Sequence, residues 1–226
     1  RDRFFLSKGH GPMAYYAVLA AKGFLDPAEL ARFGSFSSLL GRHPDRNLVP
    51  GAEISSGSLG HGLPLAVGTA LGLRARGLTQ PRVFVLTGDG ELDEGSNHEA
   101  IAFAGRAGLD RLHAVVVDNA SASHGWPGGI AARFITEGWS AAQVSGRDHA
   151  ALTKALTAPH PGRPHVVVAV TEPGYPGPQR PQAPGPVPRG PAGPQRRPGA
   201  EDQPSEALAG EPPARPCEAP AREADR

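Results

Sequence analysis

One cysteine in 226 residues, Cys217, leaves no pair for an internal disulfide and no thiolate set for a zinc cage. Metal chemistry in this chain must therefore use oxygen and nitrogen. No apolar run approaches the roughly 18 to 20 residues of a spanning helix, and no charged leader followed by an apolar stretch opens the sequence. Neither sign of charge dominates: 23 Lys and Arg face 22 Asp and Glu, and no basic stripe is interleaved with aromatics, which argues against nucleic acid as a partner. The expectation is a soluble, cytoplasmic protein that meets neither nucleic acid nor membrane.

Large apolar residues are absent from one end. From Pro173 to Arg226 the only Ile, Leu, Val, Phe, Met or Trp residues are Val187 and Leu208, while 15 of the 25 prolines fall between Pro173 and Pro220. Such a segment cannot offset the entropy of ordering, so residues 173–226 are expected to be a disordered tail rich in Pro, Gly, Ala and Arg. A GC-rich gene read out of frame after Glu172 would give this composition, and a flexible linker is the rival reading. The start at Arg1 rather than Met is what a fragment would have. Residues 1–172 form the expected domain.

What remains is patterned. The stretch "GPMAYYAVLAAKGF" (11–24) has helical apolar spacing, "DPAELARF" (26–33) places Asp before Pro as a helix start, and "GLPLAVGTALGLRARG" (62–77) predicts another helix. Gly68 and Gly72 within it predict close approach of a neighbouring backbone. Three short apolar, β-branched runs, "RVFVL" (82–86), "HAVVVD" (113–118) and "HVVVAV" (165–170), predict strands covered on both faces. With "DEGSNHEAIAFAGRAG" (93–108) as a crossover helix, the predicted class is α/β with a doubly wound parallel sheet.

In such sheets ligands bind outside the carboxyl ends of the strands. Asp89 follows the first of the three runs and Asn119 the second, so both side chains are expected at one rim. A carboxylate with an amide oxygen suits Mg²⁺ at roughly 2.1 Å and leaves coordination sites for phosphate oxygens and water. Gly88 and Gly90 let the backbone approach an anion. Two rival motifs fail on single letters: Asp93 stands where a dinucleotide fingerprint needs its third Gly, and Ala102 where a zinc motif starting at His98 needs its second His.

"GDGELDEG" with Asn119 thirty residues after Asp89, preceded by "RDRFFLSKGHG" (1–11) and "HPDRNLVPGAEISSGSLGHGL" (43–63), resembles the N-terminal, thiamine diphosphate-binding part of transketolase, above all its split form. The resemblance implies Asp89, Asn119 and the Ser121 carbonyl as Mg²⁺ ligands. It implies Gly57, Ser58, Leu59, Gly90 and Glu94 as cofactor-side residues, and His10 and His43 as catalytic histidines touching cofactor or sugar. The implied activity is transfer of a two-carbon ketol unit between sugar phosphates. Because the family's pyrimidine-activating glutamate lies in a second domain, the resemblance also implies a partner chain, a C-terminal transketolase-like subunit, without which this one is inactive. Two alternatives share the motif: a 2-oxo acid dehydrogenase or deoxyxylulose-phosphate synthase type of subunit, and a non-catalytic truncated remnant.

Several positions depart from the pattern. Ala120 and Ser121 stand where the family has Gly and a large apolar residue, Arg42 where it has Gly, His61 where it has Gln and His98 where it has Trp. His61 and His98 are expected to be structural, and His113, His149, His160 and His165, at strand or turn edges, are expected to have no role. Glu91 and Asp93 are expected to form a solvated acidic first turn favourable to the helix dipole. Glu53 is expected to be a loop charge, and Phe4 with Phe5 to be core.

Overall fold

A computed structural model describes residues 1–171. The expectations for 173–226, including the tail, lie outside the described residues. In chain order the elements are β1 (Arg3–Leu6), α1 (Pro12–Ala21), a 3-10 turn (Pro27–Arg32), α2 (Gly62–Ala75) and β2 (Val83–Gly88). A second 3-10 turn (Gly90–Asp93), α3 (Gly95–Arg106), β3 (Leu112–Asp118), α4 (Gly129–Thr136), β4 (Ser140–Ser145), α5 (His149–Thr157) and β5 (His165–Val170) follow. The strands make one parallel sheet in the order β1-β2-β3-β5-β4.

The period of two along each strand assigns the faces. Phe5, Val83, Val85, Leu112, Ala114, Val116, Val166 and Val168 share a core with Leu63, Val67 and Ala70 of α2, Ile101 of α3 and Phe134 of α4. Trp139, buried beside Phe134, donates its indole N–H to the Ile101 carbonyl at 2.8 Å and ties α3 to the segment after α4. The opposite face carries Phe4 against Tyr15 of α1, and His165 against the Ala155 carbonyl of α5. Helices on both sides make the sheet doubly wound. A second apolar cluster, Tyr16, Leu19, Leu25, Leu40 and Val49, holds the long connection between α1 and α2.

Four expectations change. β1 and β4 join the three predicted strands: β1 is only four residues long, and β4, "SAAQVS", is a half-exposed edge strand with small side chains and little apolar signal. The 26–33 helix is a 3-10 turn, capped by the Asp26 carboxylate accepting from the Ala28 N–H. Gly68 and Gly72 have nothing within 4 Å of where a Cβ would stand, so no neighbouring backbone approaches them in this chain. The close approach is at Gly105, where a Cβ would collide with the Glu137 carbonyl, and at Gly62, where it would collide with Ser7. Phe5 is core, but Phe4 is exposed at 39 %.

Among the described residues no helix is long and apolar enough to cross a membrane.

Candidate cofactor and metal site

Three adjacent strands, β1, β2 and β3, end at one rim. Ser7 and Lys8 leave β1 with both amide N–H groups donating to the Leu86 carbonyl at 2.9 Å, which turns the chain sharply over β2. Asp89 leaves β2 with its N–H on the Val117 carbonyl at 3.0 Å, and Asn119 leaves β3. The parallel register thus brings to one place residues that lie over a hundred positions apart in sequence.

Asp89 is 1 % exposed. Its Oδ1 accepts from the Ser121 hydroxyl at 2.6 Å, and its Oδ2 accepts from the N–H groups of Ser121 at 2.6 Å and Ala122 at 3.1 Å. Burial pushes the Asp89 pKa up, but these donors and the Gly90 N–H outweigh it and hold the carboxyl below its ordinary 3.8. The group is therefore an anion at neutral pH. Asn119 stands at the same loop with its Oδ1 buried and without a hydrogen-bond partner. Between Asn119 and Ser121, Ala120 has φ 57°, the left-handed region that a Gly would enter freely and that a Cβ makes costly.

An orphaned amide oxygen, an ionised carboxylate and the Ser121 carbonyl, which lies 3.4 Å from where a Cβ on Gly90 would stand, form a hard oxygen donor set that fits a small divalent cation. Among the described residues no group of three or more His, Cys, Asp or Glu side chains could hold a metal, so any ion here depends on amide and main-chain oxygens.

Beside this loop lies a cavity of about 260 Å³ lined by Lys8, Gly9, His10, Leu59, Gly88, Gly90, Glu91, Ser121 and Ser123. His10 faces His43 with ring centroids 5.6 Å apart. His43 packs on Gly57, whose φ of 131° and closeness to the ring exclude a side chain, and Gly9 meets the Gly57 backbone so closely that its Cβ would fall 2.8 Å from the Gly57 Cα. His10, His43, Gly57 and Leu59 are thus one neighbourhood. Ser58 and Glu94 are exposed and do not line the cavity; Glu94 precedes α3 and its Cβ crowds Gly60.

Two residues were missed or misread from the letters. Lys8 lines the cavity with its Nζ 3.0 Å from where a Cβ on Gly88 would stand, a cation beside the anion-accommodating glycines; its place two residues before His10 was the available signal. Glu91 is not solvated: it is 3 % exposed, accepting from Ser7, Gly60 and Gly88, because the turn after β2 folds under the rim. Asp93 is half-buried and accepts from the Ser123 N–H at 3.3 Å. Glu53 pairs with Arg3 at 3.0 Å. His98 stacks on Trp126 at 5.0 Å and 9°, in the loop that departs from the family text, while the His61 side chain is exposed and forms no cap at the start of α2.

Known proteins resemble this chain over most of its described length. The family model described as "Transketolase, thiamine diphosphate binding domain" matches residues 1–185. The chain is 61 % identical over 169 residues to a Rhodococcoides fascians protein named ferredoxin fas2, covering 75 % of this chain and 56 % of that one. It is 36 % identical over 181 residues to a subunit of the apulose-4-phosphate transketolase of Actinobacillus succinogenes, covering 77 % and 65 %. The transketolase structure from Leishmania mexicana superimposes with a TM-score of 0.69 at 29 % identity, over 75 % of this chain and 28 % of that chain. The chain spans less than two thirds of the length of each of these relatives. With one cysteine, it has no thiolate set for an iron–sulfur cluster in the part it shares with the first. The matched family model, which spans most of the chain, shows that it belongs to the transketolase thiamine diphosphate-binding domain family.

Proposed function

We propose that the chain is the diphosphate-side subunit of a transketolase-like enzyme that binds thiamine diphosphate through Mg²⁺ and, with a partner subunit bearing the pyrimidine-side domain, moves a two-carbon ketol unit between sugar phosphates. The observation that carries this reading is the Asn119 Oδ1, buried with no partner on the loop that also wraps the Asp89 carboxylate. A buried acceptor without a donor costs free energy unless something positive meets it. Asp89, Asn119 and the Ser121 carbonyl would hold the cation, and Gly90 would leave room for a phosphate.

Bound thiamine diphosphate supplies the nucleophilic carbon that the side chains lack. The protein's own work is binding, orientation and proton movement. Leu59 and His10 line the cavity, with Gly57 and His43 beside them; Gly57, Ser58 and Leu59 would border the cofactor, and His10 and His43 would move protons at the sugar oxygens. Glu94, exposed at the start of α3, would face the partner chain. The relative from Actinobacillus succinogenes, named as one subunit of an apulose-4-phosphate transketolase, supports both the split arrangement and a sugar phosphate substrate. Residues 1–172 would be the cofactor-binding unit.

Isothermal titration tests the reading. Thiamine diphosphate with MgCl₂ is expected to bind weakly or not at all to the chain alone, and to bind in a Mg²⁺-dependent way once the partner subunit is present. Asp89→Ala should abolish that binding, a loss of at least about a hundredfold. Undiminished binding by this variant removes the assigned metal ligand.

A further inference from the structure

We propose that Glu91 is a positioning residue for the cavity: its buried carboxylate gathers three chain segments that each carry cavity or ligand-side residues. The identity of the ligand rests on the function proposed above; the geometry does not.

The Ser7 hydroxyl and the Gly60 N–H, the latter at 3.2 Å, both donate to Glu91 Oε1, and the Gly88 N–H donates to Oε2 at 3.3 Å. Ser7 Oγ also accepts from the Gly62 N–H at 3.1 Å, which brings in the first turn of α2. The Glu91 main chain is held as well, its carbonyl accepting from Asn97 Nδ2 at 2.6 Å. Ser7 leads directly to Lys8, Gly9 and His10. Gly60 closes the segment that contains Gly57 and Leu59, and Gly88 immediately precedes Asp89. One side chain thereby spaces the three walls.

The chemistry requires a carboxylate. An ionised Glu is acceptor-only with about four lone-pair sites, so it can take three donors from three directions. A glutamine of the same shape would turn an amide N–H₂ toward at least one of those N–H groups. Among the described residues no Lys or Arg pairs with Glu91, so hydrogen-bond donors meet its buried oxygens. A solvated first-turn acid would need none of this.

Hydrogen exchange on the full chain tests the role through Glu91→Gln and Ser7→Ala. Glu91→Gln is expected to speed amide exchange at 7–10, 57–62 and 88–90 by about tenfold while β3 and β5 keep their protection. Ser7→Ala should loosen 7–10 and 57–62 and leave 88–90 protected. Unchanged exchange in these segments, or loss spread evenly through the sheet, overturns the proposal. Titration with thiamine diphosphate and MgCl₂ in the presence of the partner separates the two readings. If the wild type takes up no cofactor, the proposed function fails while the exchange result still decides on Glu91. If the wild type binds and Glu91→Gln binds equally well below its melting temperature, the positioning role fails.

Discussion

The two ends of the sheet bury polar groups under opposite conditions. At the carboxyl ends of β1 to β3, loops fold back so that Asp89 and Glu91 each collect three or more donors, while the side-chain oxygens of Asn119, Asn97 and Ser56 are unmatched. At the amino ends, His113, His160 and His165 crowd with ring centroids 4.7 to 6.3 Å apart, and the Nδ1 atoms of His113 and His165 are buried without partners. Burial pushes His113 down to about 3, with His160, His165 and Arg82 adding repulsion and Asp2 opposing it; burial and His160 also lower His165. Donors converge where an anion is to be held, and the other end is packed for shape. Buried polar atoms are common to both; the preorganised surroundings differ.

The largest expected effect tests the packed end. An unfolded His113 titrates near 6.5, whereas the folded one refuses the proton until about pH 3. Its contribution is therefore whole above about pH 6.5 and is lost as the pH falls from there toward 3, by up to about 5 kcal/mol across the window. His165 acts in the same direction. Urea denaturation at pH 7 and pH 4 should show the loss, and His113→Phe should flatten it; an equal slope in the variant would remove His113 as the cause.

Asn119→Ala sharpens the contrast from the other side. Because its oxygen has no partner to lose, thermal stability of the free chain should move by under about 1 kcal/mol. The stabilisation that the partner-bound form gains from Mg²⁺ and thiamine diphosphate should disappear. A large loss in the free chain would mean that Asn119 is structural, like the histidines.

The smallest effect concerns backbone strain. Among the described residues Ala120 is the one non-glycine at positive φ, so Ala120→Gly should stabilise the chain by a few tenths to about 1 kcal/mol, after the extra flexibility of glycine is subtracted. Chemical denaturation with an unchanged slope would measure it. A destabilised variant would show that the strain is absorbed elsewhere.

How much was legible depended on range. The runs at β2, β3 and β5 could be read because strands buried on both faces must be apolar throughout. Edge strand β4 could not, since small half-exposed residues carry no such demand. Asp89, Asn119 and the Gly57 segment were legible as motifs that resemble the family's. Glu91 was not: beside Asp93 and Glu94 it has the composition of a solvated helix start, and nothing local distinguishes it.

By itself the sequence determined the family and the parallel α/β class, because these depend on residue types and on periods along one stretch of chain. Only the tertiary structure decided which acid is buried, that Lys8 joins the cavity, and that His10 packs beside His43 near Gly57. Those outcomes depend on which strand ends become neighbours, and each donor that meets Glu91 comes from a segment whose position the sheet register sets.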